Sequence, residues 1–143
     1  MIESLKPKNL NVSDDVGTLL EQNGFGKLGV DLFLTVDPLP DESTGYILVS
    51  DDSGQSRLDM RLSGEIAMQQ EEFFVQAFHK DRMTGRALME KIYSFLQAQS
   101  FTTKGGTVYE VILALTPLRL IGVDKNKRFV YEAAFAAVRK QVT

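Results

Sequence analysis

Cysteine is absent from the 143 residues, which excludes disulfide frameworks, thiolate zinc sites, iron–sulfur clusters and cysteine nucleophiles while leaving the redox compartment open. Histidine occurs once, at position 79, so a multi-histidine metal site is excluded and any serine triad would have to use that single imidazole. Long apolar runs are missing too: the longest, Ala133 to Val138, falls far short of the ~20 residues that span a bilayer. The opening MIESLKPKNLNV has no apolar signal core, so the expectation is a soluble protein that is not exported and has no membrane partner. There is no basic excess either. A net charge of -3 and a pI near 5.2 argue against a dedicated nucleic-acid binder.

What is present is ordinary globular composition, 43% hydrophobic and 24% charged, in a chain the size of one domain. A chain this long buries roughly 70% of the surface that its unfolded form exposes, enough to fold without bridges or a structural metal. The charge is polarised along the sequence. Residues 1–75 carry 14 acidic and 5 basic side chains, a net of -9, whereas residues 76–143 carry 5 acidic and 11 basic, a net of +6. Either the halves interleave in one fold and their solvated faces simply differ, or the protomer has an acidic and a basic flank suited to head-to-tail contact with copies of itself.

Ser13-Asp14-Asp15 ahead of Val16, Leu19 and Leu20 reads as an N-cap and acidic first turn of a short helix, closed by Asn23-Gly24. From Lys27 to Val36 the apolar residues alternate, which predicts a strand. Asp37 to Glu42 carries two prolines and reads as a loop, and Tyr46 to Val49 as a second strand. Asp51-Asp52-Ser53-Gly54 has turn chemistry, and the polar Ser56 to Met68 predicts a protruding hairpin or mobile loop. Glu72 to Phe78 reads as a buried strand ending at His79-Lys80. Asp81 is then an N-cap for the main helix, whose stripe is Leu88, Ile92, Phe95 and Leu96. After Gly105-Gly106, Val108 to Leu115 predicts a strand with Tyr109, Val111, Leu113 and Leu115 on one face, ended by Pro117, and Gly122 to Lys127 reads as a polar turn. Arg128 to Lys140 is ambiguous: its alanines favour helix, while Phe129, Tyr131, Ala133, Phe135 and Ala137 alternate as in a strand. Together these predict a single α+β domain over residues 1–143, with a mostly antiparallel mixed β-sheet packed against one long and one short helix.

Chemical motifs are weak. Gly24, Gly26 and Gly29 match G-x-G-x-x-G, but a dinucleotide site needs a strand before and a helix after, and here the order is reversed. A glycine-assisted helix stop explains these residues. His79 precedes Asp81, yet no serine sits in a nucleophile elbow, so it reads as a solvent-facing histidine. Asp14-Asp15 suits a helix N-terminus, Asp51-Asp52 a turn, and Glu71-Glu72 in a strand point to opposite faces. No catalytic residue, cofactor or metal is assigned, and the expectation is a protein that is not an enzyme. The candidate interface residues are Arg57, Asp59 and Arg61 in the polar excursion and Lys125, Lys127 and Arg128 in the turn, which are expected to lie outside the core.

The order of features resembles a known family. Leu19 to Gly26, Leu28-Gly29-Val30-Asp31-Leu32-Phe33 and Pro38-Leu39-Pro40-Asp41 are similar to the opening of phage minor capsid or tail terminator (tail completion) proteins of long-tailed phages. Phe73 to Phe78 leading into the Thr84 to Leu96 helix, Pro117-Leu118, and Gly122-Val123-Asp124 before Arg128 to Tyr131 follow in the family's order, so the likeness covers roughly residues 16–138. It implies a structural virion protein, made in the host cytoplasm, that forms a ring, typically hexameric, at the head-proximal end of the tail tube. The implied partners are copies of itself, the tail tube protein and a head-completion or connector protein, with DNA only passing through the lumen. It also implies that Arg128 to Val138 is a sheet strand. The alternatives are a connector subunit of the phage neck and a small adaptor that binds peptides at a sheet edge.

Overall fold

The structure, a computed structural model, describes the backbone of residues 12–35, 37–51, 57–62 and 66–142, and the side chains of all of these but 57–62, 66–69 and 140–142. The chain runs α1 (Val12–Gln22), β1 (Leu32–Leu34), β2 (Gly45–Asp51), β3 (Arg57–Leu62), β4 (Ile66–His79), α2 (Arg82–Leu96), β5 (Phe101–Thr102), β6 (Val108–Ala114), β7 (Arg119–Val123) and β8 (Phe129–Val142). Among the described residues, its strands form one sheet in which only β1 and β2 are parallel, so the α+β fold with a mostly antiparallel mixed sheet and a long and a short helix is the one present.

β4 and β8 pair antiparallel over their full length, from Ile66↔Val142 to His79↔Phe129. Each is flanked by two shorter strands laid end to end: β3 and β2 along β4, β6 and β7 along β8. The sheet is therefore widest around a two-stranded spine. β8 is a strand in spite of its alanines, because pairing on both sides satisfies its amides and carbonyls, and its small side chains let the helices come close. Ala133 and Ala137 are fully buried with Phe135 on the helix side.

Both helices pack on one face of the sheet. That face carries Leu32, Ile47, Val49, Phe73, Val75, Ala77, Tyr131 and Phe135, which close over Val16 and Leu20 of α1 and Met89, Ile92 and Leu96 of α2. Asp81 caps α2, its carboxylate accepting from the Thr84 N–H at 3.2 Å. Gly85, in the second turn, is buried where an added Cβ would lie 3.1 Å from His79 Cβ and 3.6 Å from the Tyr131 ring. Its small size sets how closely the helix approaches β4 and β8.

Several expectations are corrected. Ser13 is not the N-cap of α1 but lies inside it. Its N–H and hydroxyl both donate to the Asp51 carboxylate, at 3.0 and 2.9 Å, so Asp51, the last residue of β2, secures the helix start from the sheet beneath it; Asp52 to Gly54 of the expected turn lie outside the described residues. The strand expected over Lys27 to Val36 shrinks to Leu32–Leu34. Asp31 Oδ1 accepts from Lys27 N–H at 2.6 Å, Leu32 and Asp31 N–H both donate to Lys27 C=O, and Gly29 sits at φ +84°. A tight turn thus takes the first half of the alternating pattern. Gly24, at φ +81°, ends α1 as expected of a helix stop. The Ser56 to Met68 excursion forms a hairpin, β3 pairing with β4 from Leu62↔Ile66 to Arg57↔Glu71. In β6 the expected face is lost: a bulge between Tyr109 and Val111 shifts the phase, so Tyr109 and Ile112 point inward while Leu113 is 46% exposed. The polar turn after Pro117 is shorter than expected, because Arg119–Val123 is a strand.

Candidate interaction surface

Among the described residues, the sheet face opposite the helices is covered at one end only. Phe33, Tyr46 and Phe78 sit side by side on β1, β2 and β4, with ring centroids 5.6 Å apart in an edge contact and 4.4 Å apart in a stack. Phe33, Tyr46 and Val130 are buried there, and Phe78 is half-buried. Over these residues runs the segment 37–44, held by Arg128. This guanidinium donates to Asp124 Oδ2 at 2.8 Å and to the carbonyls of Pro40 and Ser43 at 3.0 and 3.2 Å. It also lies 4.9 Å from the Tyr46 ring centre. Arg128 is only 3% exposed, which corrects the expectation that it stands outside the core: its charge is spent inside the molecule. Burial alone would raise Asp124, but hydrogen bonds from the Arg128 and Asn126 amides and from the guanidinium, with its charge, outweigh that and hold the carboxyl below its ordinary value.

A second buried polar group lies on the helix side. Tyr109 donates its hydroxyl to Asp15 Oδ2 at 2.5 Å, and Arg139 pairs with Glu71 at 2.7 Å. Burial pushes Asp15 up, against the pull of the Tyr109 hydrogen bond and the Arg139 charge, with Asp14 adding to the rise. Burial, then the Asp15 hydrogen bond and charge, push Tyr109 far above its ordinary value. These groups tie α1 to β6, β4 and β8, with a neutral phenol donating to the Asp15 carboxyl, so the arrangement braces the fold. The groove beside it is lined by Asp15, Thr18, Gln22 and Lys104 with β5 and Thr103.

His79 ends β4 half-buried, rather than facing solvent freely, and its Nδ1 accepts the Asp81 N–H at 2.8 Å. It shapes the start of α2. Glu71 and Glu72 are in register with Ala137 and Ala136, on opposite faces of the sheet as the strand reading requires.

Among the expected interface residues, Lys125 and Lys127 are exposed in the β7–β8 turn, with Lys127 at φ +65°. Arg57, Asp59 and Arg61 alternate along β3, in register with Glu71, Gln69 and Ala67; their side chains lie outside the described residues. The structure does not gather the six into one cluster, since β3 flanks β4 and the turn flanks β8 at the other end of the sheet. Missed altogether was the apolar surface beside that turn. Leu120, Ile121 and Val123 on β7, and Leu113 and Leu115 at the end of β6, are large and exposed; they divide between the two faces, Leu120 and Val123 in register with Tyr131 and Phe129 on the helix side and Leu113 with Ala136 on the other. The signal was present in the sequence as Leu118-Arg-Leu-Ile-Gly-Val123, but the short run and Gly122 hid the strand.

The sequence matches no protein-family model and no curated protein. Among solved structures, 11 chains match. One, from a structure described as "Virion of native gene transfer agent (GTA) particle", superposes with a TM-score of 0.58 at 16% identity, covering 79% of this chain and 81% of that chain. The two chains are therefore similar in fold across most of both lengths.

Proposed function

We propose that this protein is a structural subunit of a phage-like virion and, within it, the tail terminator: a subunit that assembles into a ring, six-membered in the simplest form, on the head-proximal end of the tail tube. The observation that carries the reading is the fold shared with a chain of a gene transfer agent virion over about four fifths of both chains. The order of sequence features similar to tail completion proteins points the same way.

A terminator needs no bond-making chemistry. It needs one face that matches the last tube ring, another that does not repeat that surface, and a side-to-side contact that closes. The described polar groups fit such a role, since Asp15, Tyr109, Arg128 and Arg139 are all committed to holding helices, strands and the covering segment in place. The test is reconstitution with the tube subunit of the same particle. Tube growth is expected to stop at a defined length, with a ring of this protein at one tube end in electron micrographs. An unchanged distribution of tube lengths, with no density at the ends, overturns the reading.

A further inference from the structure

We propose that the groove between α1 and the β5–β6 turn is a receiving site for a guanidinium group, taking an arginine side chain presented by another protein chain. The inference goes beyond the virion reading and holds whether or not the chain closes into a ring.

Asp15 is only 9% exposed. One of its carboxylate oxygens, Oδ2, accepts the Tyr109 hydroxyl. The other, Oδ1, accepts no hydrogen bond among the described residues, yet it is not sealed from the surface. The groove, about 290 Å³ and lined by Asp15, is where that oxygen meets open space. A buried carboxylate normally gathers several donors, because the water it gives up has to be replaced. Here burial outweighs the Tyr109 bond and the Arg139 charge and leaves the carboxyl above its ordinary value. The site is short of donors and of positive charge.

The neighbouring groups do not make up the deficit. Arg139 is taken by Glu71 at 2.7 Å. The helix itself carries Asp14, Asp15 and Glu21 and no basic residue. Lys104 lines the groove from the turn side, but it is exposed, forms no ion pair with a described residue and is not among the charges that move Asp15.

The shape selects among cations. Asp15, Thr18 and Gln22 stand at i, i+3 and i+7 on one face of α1. The Thr18 hydroxyl donates to the Asp14 carbonyl at 3.0 Å, so its oxygen can still accept. The Gln22 side chain has no hydrogen bond among the described residues, which leaves its carbonyl open. Such a row of acceptors matches the planar fork of N–H donors on a guanidinium better than a single point charge. Phe101, its ring stacked on Tyr109 at 4.8 Å, lines the same groove with Leu19; an aromatic surface suits a planar cation, and apolar walls suit its aliphatic stem. One carboxylate is a poor match for a divalent metal, which takes several charged or carbonyl oxygens. Sites for whole small molecules run to about 300–1,000 Å³, so this groove has room for one long side chain.

The probe is N-acetyl-arginine N-methylamide, titrated into the 15N-labelled protein, with the corresponding lysine and citrulline compounds as controls; citrulline keeps the shape and loses the charge. The arginine compound should shift the backbone amides of Asp15, Thr18, Gln22 and Lys104 and bind at least fivefold more tightly than either control. D15N keeps an acceptor for Tyr109 and should weaken that binding at least tenfold while the melting temperature holds or rises, a separation that a purely structural carboxylate would not produce. T18A/Q22A, at two exposed positions, should weaken it about threefold with the fold unchanged. Equal binding of citrulline or lysine overturns the proposal, as does a groove that stays silent at every soluble concentration of the arginine compound. Undiminished binding by D15N or by T18A/Q22A overturns it as well.

Discussion

At the scale of single residues, a half-buried and a buried carboxylate, Asp124 and Asp15, respond to pH in opposite senses. Asp124 has a folded-state pKa below its unfolded value of 3.8, so its contribution is complete above that value and is lost as pH falls through the lower folded one. The stability gap between wild type and D124N should therefore narrow in acid denaturant titrations below about pH 4. Asp15 is raised above 3.8: its ionised form is disfavoured in the fold, and stability falls as pH rises from 3.8 through the folded value. D15N keeps an acceptor for Tyr109 and removes the charge, so at pH 7 it should match or exceed wild type in urea melts. D15A leaves the buried phenol without an acceptor and should cost about 1–3 kcal/mol. Arg128 is the more severe position. R128M removes a buried charge from Asp124, Pro40 and Ser43 together and should cost about 3 kcal/mol, with R128K losing less because it retains the charge.

At the scale of elements, the β6 bulge gives a sharp contrast. I112A should cost about 2–5 kcal/mol by opening a cavity, whereas L113S, at an exposed position, should change stability by no more than about 0.5 kcal/mol. Uninterrupted alternation would reverse that order, and equilibrium unfolding of the two variants decides it. The same bulge shows where sequence reading stopped. Strict period-two logic located β6, but one extra residue exchanges its faces, and nothing in Val108 to Leu115 signals the insertion. α2 was legible because Asp81 as N-cap and the apolar stripe agree, although Met89 was passed over and the close approach of Gly85 to Tyr131 and His79 had no signal in the stripe. The Lys27 to Val36 alternation misled for the opposite reason: a side-chain hydrogen bond from Asp31 and a left-handed Gly29 are local chemistry that periodicity does not register. β8 was ambiguous because alanine propensity speaks for an isolated segment, and strand pairing across 60-odd intervening residues cannot be read from the segment itself. Of the candidate interface, the lysines of the β7–β8 turn were legible from composition. The inward course of Arg128 was not, since its partners Pro40 and Ser43 are distant in sequence.

At the scale of the whole molecule, the opposed charges of the two halves are partly consumed within the fold, as in the Arg139–Glu71 pair. If the protein assembles as proposed, what remains exposed on the Lys125–Lys127 turn should steer that assembly more than drive it, because exposed ion pairs contribute only about 0.2–1 kcal/mol each. Ring closure should accordingly weaken as salt rises, and K125E/K127E should slow it without lowering the melting temperature, both measurable by sedimentation velocity. The two-stranded spine has a consequence for the birth of the protein. β4 leaves the ribosome early, yet its full-length partner β8 follows about 60 residues later, a delay of roughly 3–13 s at about 5–20 residues per second. Throughout that interval one whole flank of β4, with Phe73 and Val75 among its side chains, has no native neighbour. Native closure must therefore wait for the emergence of β8, and the newborn chain's hazard is greatest while translation is still under way.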